Sequence, residues 1–159
     1  RIARAITGGA DTPTHPVTRA ELEREGAIAR GLVPVDAVGL LALEVAKPGD
    51  VVMEHAVHAS GRGRAIDEAF APLLPERADV VVIAPWGPPA REELRAVVRE
   101  RFATAALVEL GPGESLAASA ALAVIAARDA LRERAGRAVV LTLGIDGDPG
   151  CVVLARGVA

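Results

Sequence analysis

Two hydrophobic rhythms alternate along this chain. Short continuous apolar runs at Val38–Val45, Val51–His58 and Ala78–Ala84 read as strands, because strands packed on both faces lose the inside–outside alternation. Thr104–Leu110, Arg137–Leu143 and Cys151–Ala155 add three more, the last two flanking a Gly/Asp turn. Between the runs the spacing lengthens to that of a helix. Arg64–Leu74 gathers Ile66, Ala69, Phe70 and Leu73 on one face. Pro89–Phe102 gathers Leu94, Val97, Val98 and Phe102, with its proline where a first turn needs no donor. Glu114–Arg134 predicts a long Ala-rich helix. Lys47-Pro48-Gly49-Asp50 is a turn, and it predicts a hairpin between the strands on either side.

From residue 37 onward the order is β-β-α-β-α-β-α-β-β. Apolar strands alternating with helices predict a layered α/β domain, and the paired strands at each end make its sheet mixed. Upstream, Arg1–Ala10 reads as a strand running into a glycine turn, and residues 8–36 are turn-rich. A short helix is predicted over Arg19–Ala29, capped by Thr18 with Glu21 at the third helical position. A strand at residue 1, without an initiating Met, leads us to expect a piece of a longer chain.

Composition narrows the function classes. Of the 159 residues 51% are hydrophobic, yet there are only two Phe, one Trp and no Tyr. That leaves few faces on which bases could stack, and the net charge of −3 comes with no basic stripe to follow a phosphate backbone, so nucleic acid is not an expected partner. No apolar run approaches the roughly 20 residues that span a bilayer. The single cysteine, Cys151, cannot form an internal disulfide, which points to a reducing compartment such as the cytoplasm.

Few residues stand out chemically. His55 and His58 form His-x-x-His, but positions three apart on a strand point to opposite faces, so no metal site is expected. His15, between prolines, reads as a surface residue. Gly61-Arg62-Gly63 lies between a strand and a helix, where phosphates can bind, but the third glycine of a dinucleotide loop is replaced by Ile66. Ser115 has no nucleophile elbow and no later histidine as its base. Cys151 among valines reads as core, and Asp146 and Asp148 as turn carboxylates. No cofactor is expected. Trp86, in Ala84-Pro85-Trp86-Gly87-Pro88-Pro89, lies just past the C-terminal end of a strand, where ligands of open α/β sheets gather; it reads equally as a pocket marker or as a plug filling a gap at a helix–sheet edge.

Taken in order, four segments resemble the later part of the β-ketoacyl synthases, condensing enzymes with a thiolase-like fold. Ile6-Thr7-Gly8-Gly9-Ala10-Asp11 looks like that family's Gly-Gly-Ala strand end. Val38-Gly39-Leu40-Leu41-Ala42-Leu43-Glu44 looks like its Ala-Gly-Val-Leu-Val-Leu-Glu strand. Leu116-Ala117-Ala118-Ser119-Ala120-Ala121-Leu122 is similar to its small-residue helix. Gly144-Ile145-Asp146-Gly147 before Cys151-Val152-Val153-Leu154 is similar to its Gly-Phe-Gly-Gly turn and final strand. The resemblance implies a thiolase-like layered α-β-α half. Residues 1–36 would then close a preceding half, and residues 37–159 would form the C-terminal half-domain.

The resemblance also implies what is missing. The family's cysteine nucleophile would precede Arg1. Its first catalytic histidine would follow Val80–Ala84, where Pro85-Trp86-Gly87 stands. Its second would occupy Glu114, after Gly113, and its lysine would fall near Glu109. A carboxylate in place of a hydrogen-bond-donating imidazole repels a developing enolate, and one such donor can be worth about 3–4 kcal/mol. These departures imply a protein that does not catalyse by itself, similar to the chain-length-factor partners of type II polyketide synthases. It would pair with an active ketosynthase, meet an acyl carrier protein, and wall an acyl cavity with Trp86, Gly87, Glu114, Ile145, Asp146 and Gly147. Two alternatives remain open: a divergent active synthase or acyltransferase with its cysteine upstream, and an acyl- or aryl-binding module.

Overall fold

The computed structural model of the chain describes residues 4–61, 63–111, 113, 118–132 and 136–157. Among them the elements run β1 (Arg4–Asp11), α1 (Pro16–Arg24), β2 (Ala37–Glu44), β3 (Val51–His58), α2 (Ile66–Phe70), β4 (Val80–Ala84), α3 (Pro88–Arg101), β5 (Ala106–Glu109), α4 (Ser119–Arg132), β6 (Gly136–Leu143) and β7 (Pro149–Arg156). No helix among the described residues is long and apolar enough to cross a membrane.

Five strands form one sheet in the order β3-β7-β6-β4-β5. It is mixed: β4 runs parallel to β5 and β6, while β7 runs antiparallel to β6 and β3. Alternation along the central strands feeds two cores. Val80 and Val82 of β4, Ala138 and Val140 of β6 and Leu154 of β7 meet α4 residues such as Ala123, Val124, Ala127 and Leu131. Val81, Ile83, Val139, Leu141, Cys151 and Val153 point the other way, into a core with Phe70 of α2 and Leu94, Val97 and Val98 of α3. A strand buried on both faces needs apolar residues at every position, and all five residues of β4 are buried.

The anticipated hairpin between β2 and β3 does not form. Instead β2 pairs antiparallel with β1 as a separate two-stranded sheet, and β3 pairs with β7. The Lys47–Asp50 turn exists, closed by the Lys47 amide donating to Asp50 Oδ2 at 2.7 Å, but the chain changes layer there. Helix α4 packs against both sheets and so lies between them. Gly39 permits this: a Cβ on it would lie 2.9 Å from Ala121 Cβ and 3.2 Å from the Ala118 carbonyl oxygen. The expectation that β2 is buried on both faces is also corrected. Gly39 and Leu41 turn toward α4, while Val38 and Leu40 are exposed, because α4 covers only one side of the pair.

Helix α1 begins earlier than predicted. Pro16 occupies its first turn and His15, not Thr18, is the N-cap, its Nδ1 accepting from the Val17 amide at 3.3 Å. Proline pre-sets the helical φ at that place without wasting a donor, which outweighs the capping preference of threonine. Helix α2 is shorter than its periodicity suggested, ending at Phe70 ahead of Pro72.

Candidate functional site

The register of the sheet assembles the site. At the C-terminal ends of the parallel strands, Ala84 of β4 stands opposite Thr142 of β6, Thr142 opposite Gly150 of β7, and Gly150 opposite His58 of β3. Residues opposite one another share a face, so this row faces α4. Glycine in the middle keeps the row open. A Cβ on Gly150 would lie 2.4 Å from Thr142 Oγ1, so the threonine hydroxyl occupies the space that a side chain there would need.

Ala84, Thr142 and His58 line a cavity of about 560 Å³ at this edge of the sheet. Ser119 and Ala120, in the first turn of α4, form another wall. Leu22 of α1 and Ala27 and Leu32 of the segment after it form a further wall, and Ile145, Asp146 and Asp148 come from the β6–β7 turn. A second cavity of about 490 Å³, lined in part by Val35, Leu110, Leu122 and Ile125, shares Ala84 and Ser119 with the first.

Trp86 also lines the first cavity. It is 8% exposed, and its carbonyl accepts from the Val33 amide at 3.0 Å. Its Nε1–H is buried and has no acceptor among the described residues. A buried donor left unpaired costs about 1–3 kcal/mol. Gly87 sits behind this wall: a Cβ on it would come within 2.0 Å of the Gly31 carbonyl oxygen, so bare backbone meets bare backbone. Gly147, at φ +85°, shapes the β6–β7 turn, whose Gly144 amide donates to the Asp148 carbonyl at 2.8 Å. Of the residues singled out in the sequence, Trp86, Ile145 and Asp146 therefore line the cavity and Gly87 and Gly147 shape its walls. Glu114 and Ser115 lie outside the described residues.

The charges around the cavity are mostly negative. Arg30 reaches the Ile145 carbonyl at 3.3 Å and Asp146 at 3.5 Å. Asp148 Oδ1 accepts from the Gly61 amide at 2.8 Å, which ties the loop after β3 to the β6–β7 turn. Glu25 stands on the rim. Sequence reasoning set His58 beside His55 and missed both its partners and Asp148's. Register is the signal that finds His58, and it is nonlocal.

The remaining candidates lie elsewhere. His55 borders a different groove, beside Glu54 and Arg137. Cys151 faces the α3 core, and burial pushes its thiol up to about 11, so no thiolate is available at neutral pH. Glu109, near the place of the family's lysine, is gripped by Arg95 through Oε1 at 2.6 Å and Oε2 at 2.9 Å. That hydrogen-bonded guanidinium holds its carboxyl below the ordinary value.

No protein-family model and no curated protein matches the sequence. Solved structures do match in fold. The tetronic acid condensing enzyme AbyA1 superposes with a TM-score of 0.66 at 14% identity, over 99% of this chain and 59% of that one. The ketosynthase from module 6 of the bacillaene synthase of Bacillus subtilis 168 gives 0.65 at 14% identity, over 99% and 43%. The AntDE:AntF structure, a type II polyketide synthase acyl carrier protein in complex with its ketosynthase, gives 0.61 at 11% identity, over 98% and 52%. The chain thus spans about half the length of the structures it matches. The likeness is one of fold: the chain has the thiolase-like α/β fold that these condensing-enzyme structures share.

Proposed function

We propose that this chain is a ketosynthase-like, chain-length-factor-like component of a polyketide or fatty-acid synthase system, one that holds an acyl chain but does not condense acyl groups by itself. The observation that carries this reading is Trp86 at the cavity wall beyond β4, where the resemblance calls for an imidazole. An indole N–H donates a hydrogen bond but cannot take up or relay a proton, whereas imidazole does both. The only cysteine is a core residue with a raised pKa. Residues 1–36 are then the close of a preceding half and residues 37–159 the C-terminal half, with the β1–β2 pair as the seam between them. The partners are an active ketosynthase and an acyl carrier protein, in the cytoplasm. The solved ketosynthase–carrier complex of the same fold supports the second of these.

The test is to supply the chain with acyl and malonyl carrier thioesters, alone and then with a ketosynthase. Alone it is expected to release no β-ketoacyl product; with the ketosynthase it is expected to co-elute and to change product length. Condensation by the chain alone, or neither complex nor change, overturns the reading.

One observation favours the alternative of a divergent condensing enzyme: His58 brings an imidazole into the cavity from β3. On that reading condensation appears once the chain is joined to an upstream segment that carries the cysteine, and His58→Ala removes it.

A further inference from the structure

We propose that His15 is a pH-sensitive cap: neutral, it holds helix α1 wound; protonated, it releases the helix, and the wall that α1 gives the cavity loosens. This holds whatever the cavity binds. Helix α1 has little else to keep it wound. It is nine residues long and buries none of them, and so short a helix is marginal in water unless something outside holds it. Among the described residues, Leu22 is the only apolar side chain of α1 that packs on a core, and it is the one that lines the cavity. The C-terminal end is closed by backbone alone. The Gly26 amide donates to the Glu23 carbonyl at 3.0 Å and the Ala27 amide to the Leu22 carbonyl at 2.8 Å, with Gly26 at φ +70°. No proton changes that closure. At the other end the Val17 amide donates to His15 Nδ1 at 3.3 Å.

An imidazole nitrogen accepts only while it carries no proton. Protonation turns His15 Nδ1 into a donor facing another donor, and sets a positive charge at the positive end of the helix dipole. Both effects act against α1. The charged groups nearby give the imidazolium a different partner. Asp36, in the segment before β2, is close enough for the two charges to attract. Hydrogen bonds from the Thr14 hydroxyl and amide hold its carboxyl below the ordinary value, so it is ionised when His15 takes up its proton. On α1 itself, Arg19 is paired with Glu23 at 3.1 Å, and at the end of β1 Asp11 accepts from the Thr12 amide at 2.9 Å. The sign follows: the cap is complete where His15 is neutral and is lost as the pH falls through the range in which histidine becomes charged, between about pH 8 and about pH 5.

The experiment is amide hydrogen exchange of the chain, resolved from milliseconds to seconds by mass spectrometry, at about pH 7.5 and about pH 5.5, each corrected for the intrinsic exchange rate. Protection over residues 17–25 is expected to fall about fivefold at the lower pH, the size of a lost N-cap, with β4 unchanged. His15→Asn keeps a capping oxygen at both pH values and is expected to show no fall; His15→Ala is expected to be weakly protected at both. Asp36→Asn is expected to move the fall to lower pH. Equal protection of the wild-type segment at the two pH values overturns the proposal, and so does a fall of the same size in His15→Asn. A parallel loss in β4 also overturns it, since the whole fold would then be loosening. An unmoved transition in Asp36→Asn overturns the part given to Asp36.

Discussion

Val81 and Leu40 are both aliphatic strand residues, yet Val81 is fully buried and Leu40 is 61% exposed. The first belongs to a sheet with α4 on one face and α2 and α3 on the other; the second belongs to a pair of strands that meets α4 on one face only. Sequence hydrophobicity is the same in kind for both. The difference lies in how many layers are stacked on each sheet. Apolar strand faces left open in this way are interaction surfaces by default, and under the proposed function the occupant of this one is the preceding half of a longer synthase.

Three substitutions sharpen the contrast, in decreasing order of expected effect. Leu141→Ala, in the fully buried centre of the large sheet, is expected to cost about 3 kcal/mol, within the usual 2–5 for such truncations, read from the urea midpoint at unchanged slope. Gly39→Leu should cost about 1–3 kcal/mol by forcing α4 and β2 apart, and hydrogen exchange should rise across β1 and β2 before it rises in β4. Leu40→Lys should change the stability of this chain by no more than about 0.5 kcal/mol. A loss as large as that of Leu141→Ala would mean that the outer face of β2 is already covered, and the contrast between the sheets would collapse.

The strands and helices were largely legible, and the pairings were not. β3 runs Val51–His58, as its apolar run indicates, and β4 is the buried strand that Val80–Ile83 suggested. The partner of β3 is set by contacts at the far end of the chain, and a turn such as Lys47–Asp50 serves a hairpin or a change of layer equally well. The exposure of β2 was hidden for a related reason: a run of apolar residues shows that a strand can be covered on both faces, not that anything covers it. In the site, Trp86 was visible because proline and glycine surround it at the end of a strand. His58 was not, because its significance depends on standing across Gly150 from Thr142.

The place of β7 between β3 and β6 has a consequence for how the protein is made. Among the described residues the only strand beside β3 is β7, and Val51 faces Arg156. During synthesis, residues 51–58 leave the ribosome well before residues 149–156, and their partner strand is missing until those emerge. Glu54 and His55 break its apolar run in the middle, the kind of polar interruption that disfavours mispairing of an unpartnered strand. A stop codon after Asp148 would therefore not trim a loose end. It would strand β3, open the Cys151 core and remove the bridge that makes five strands one sheet.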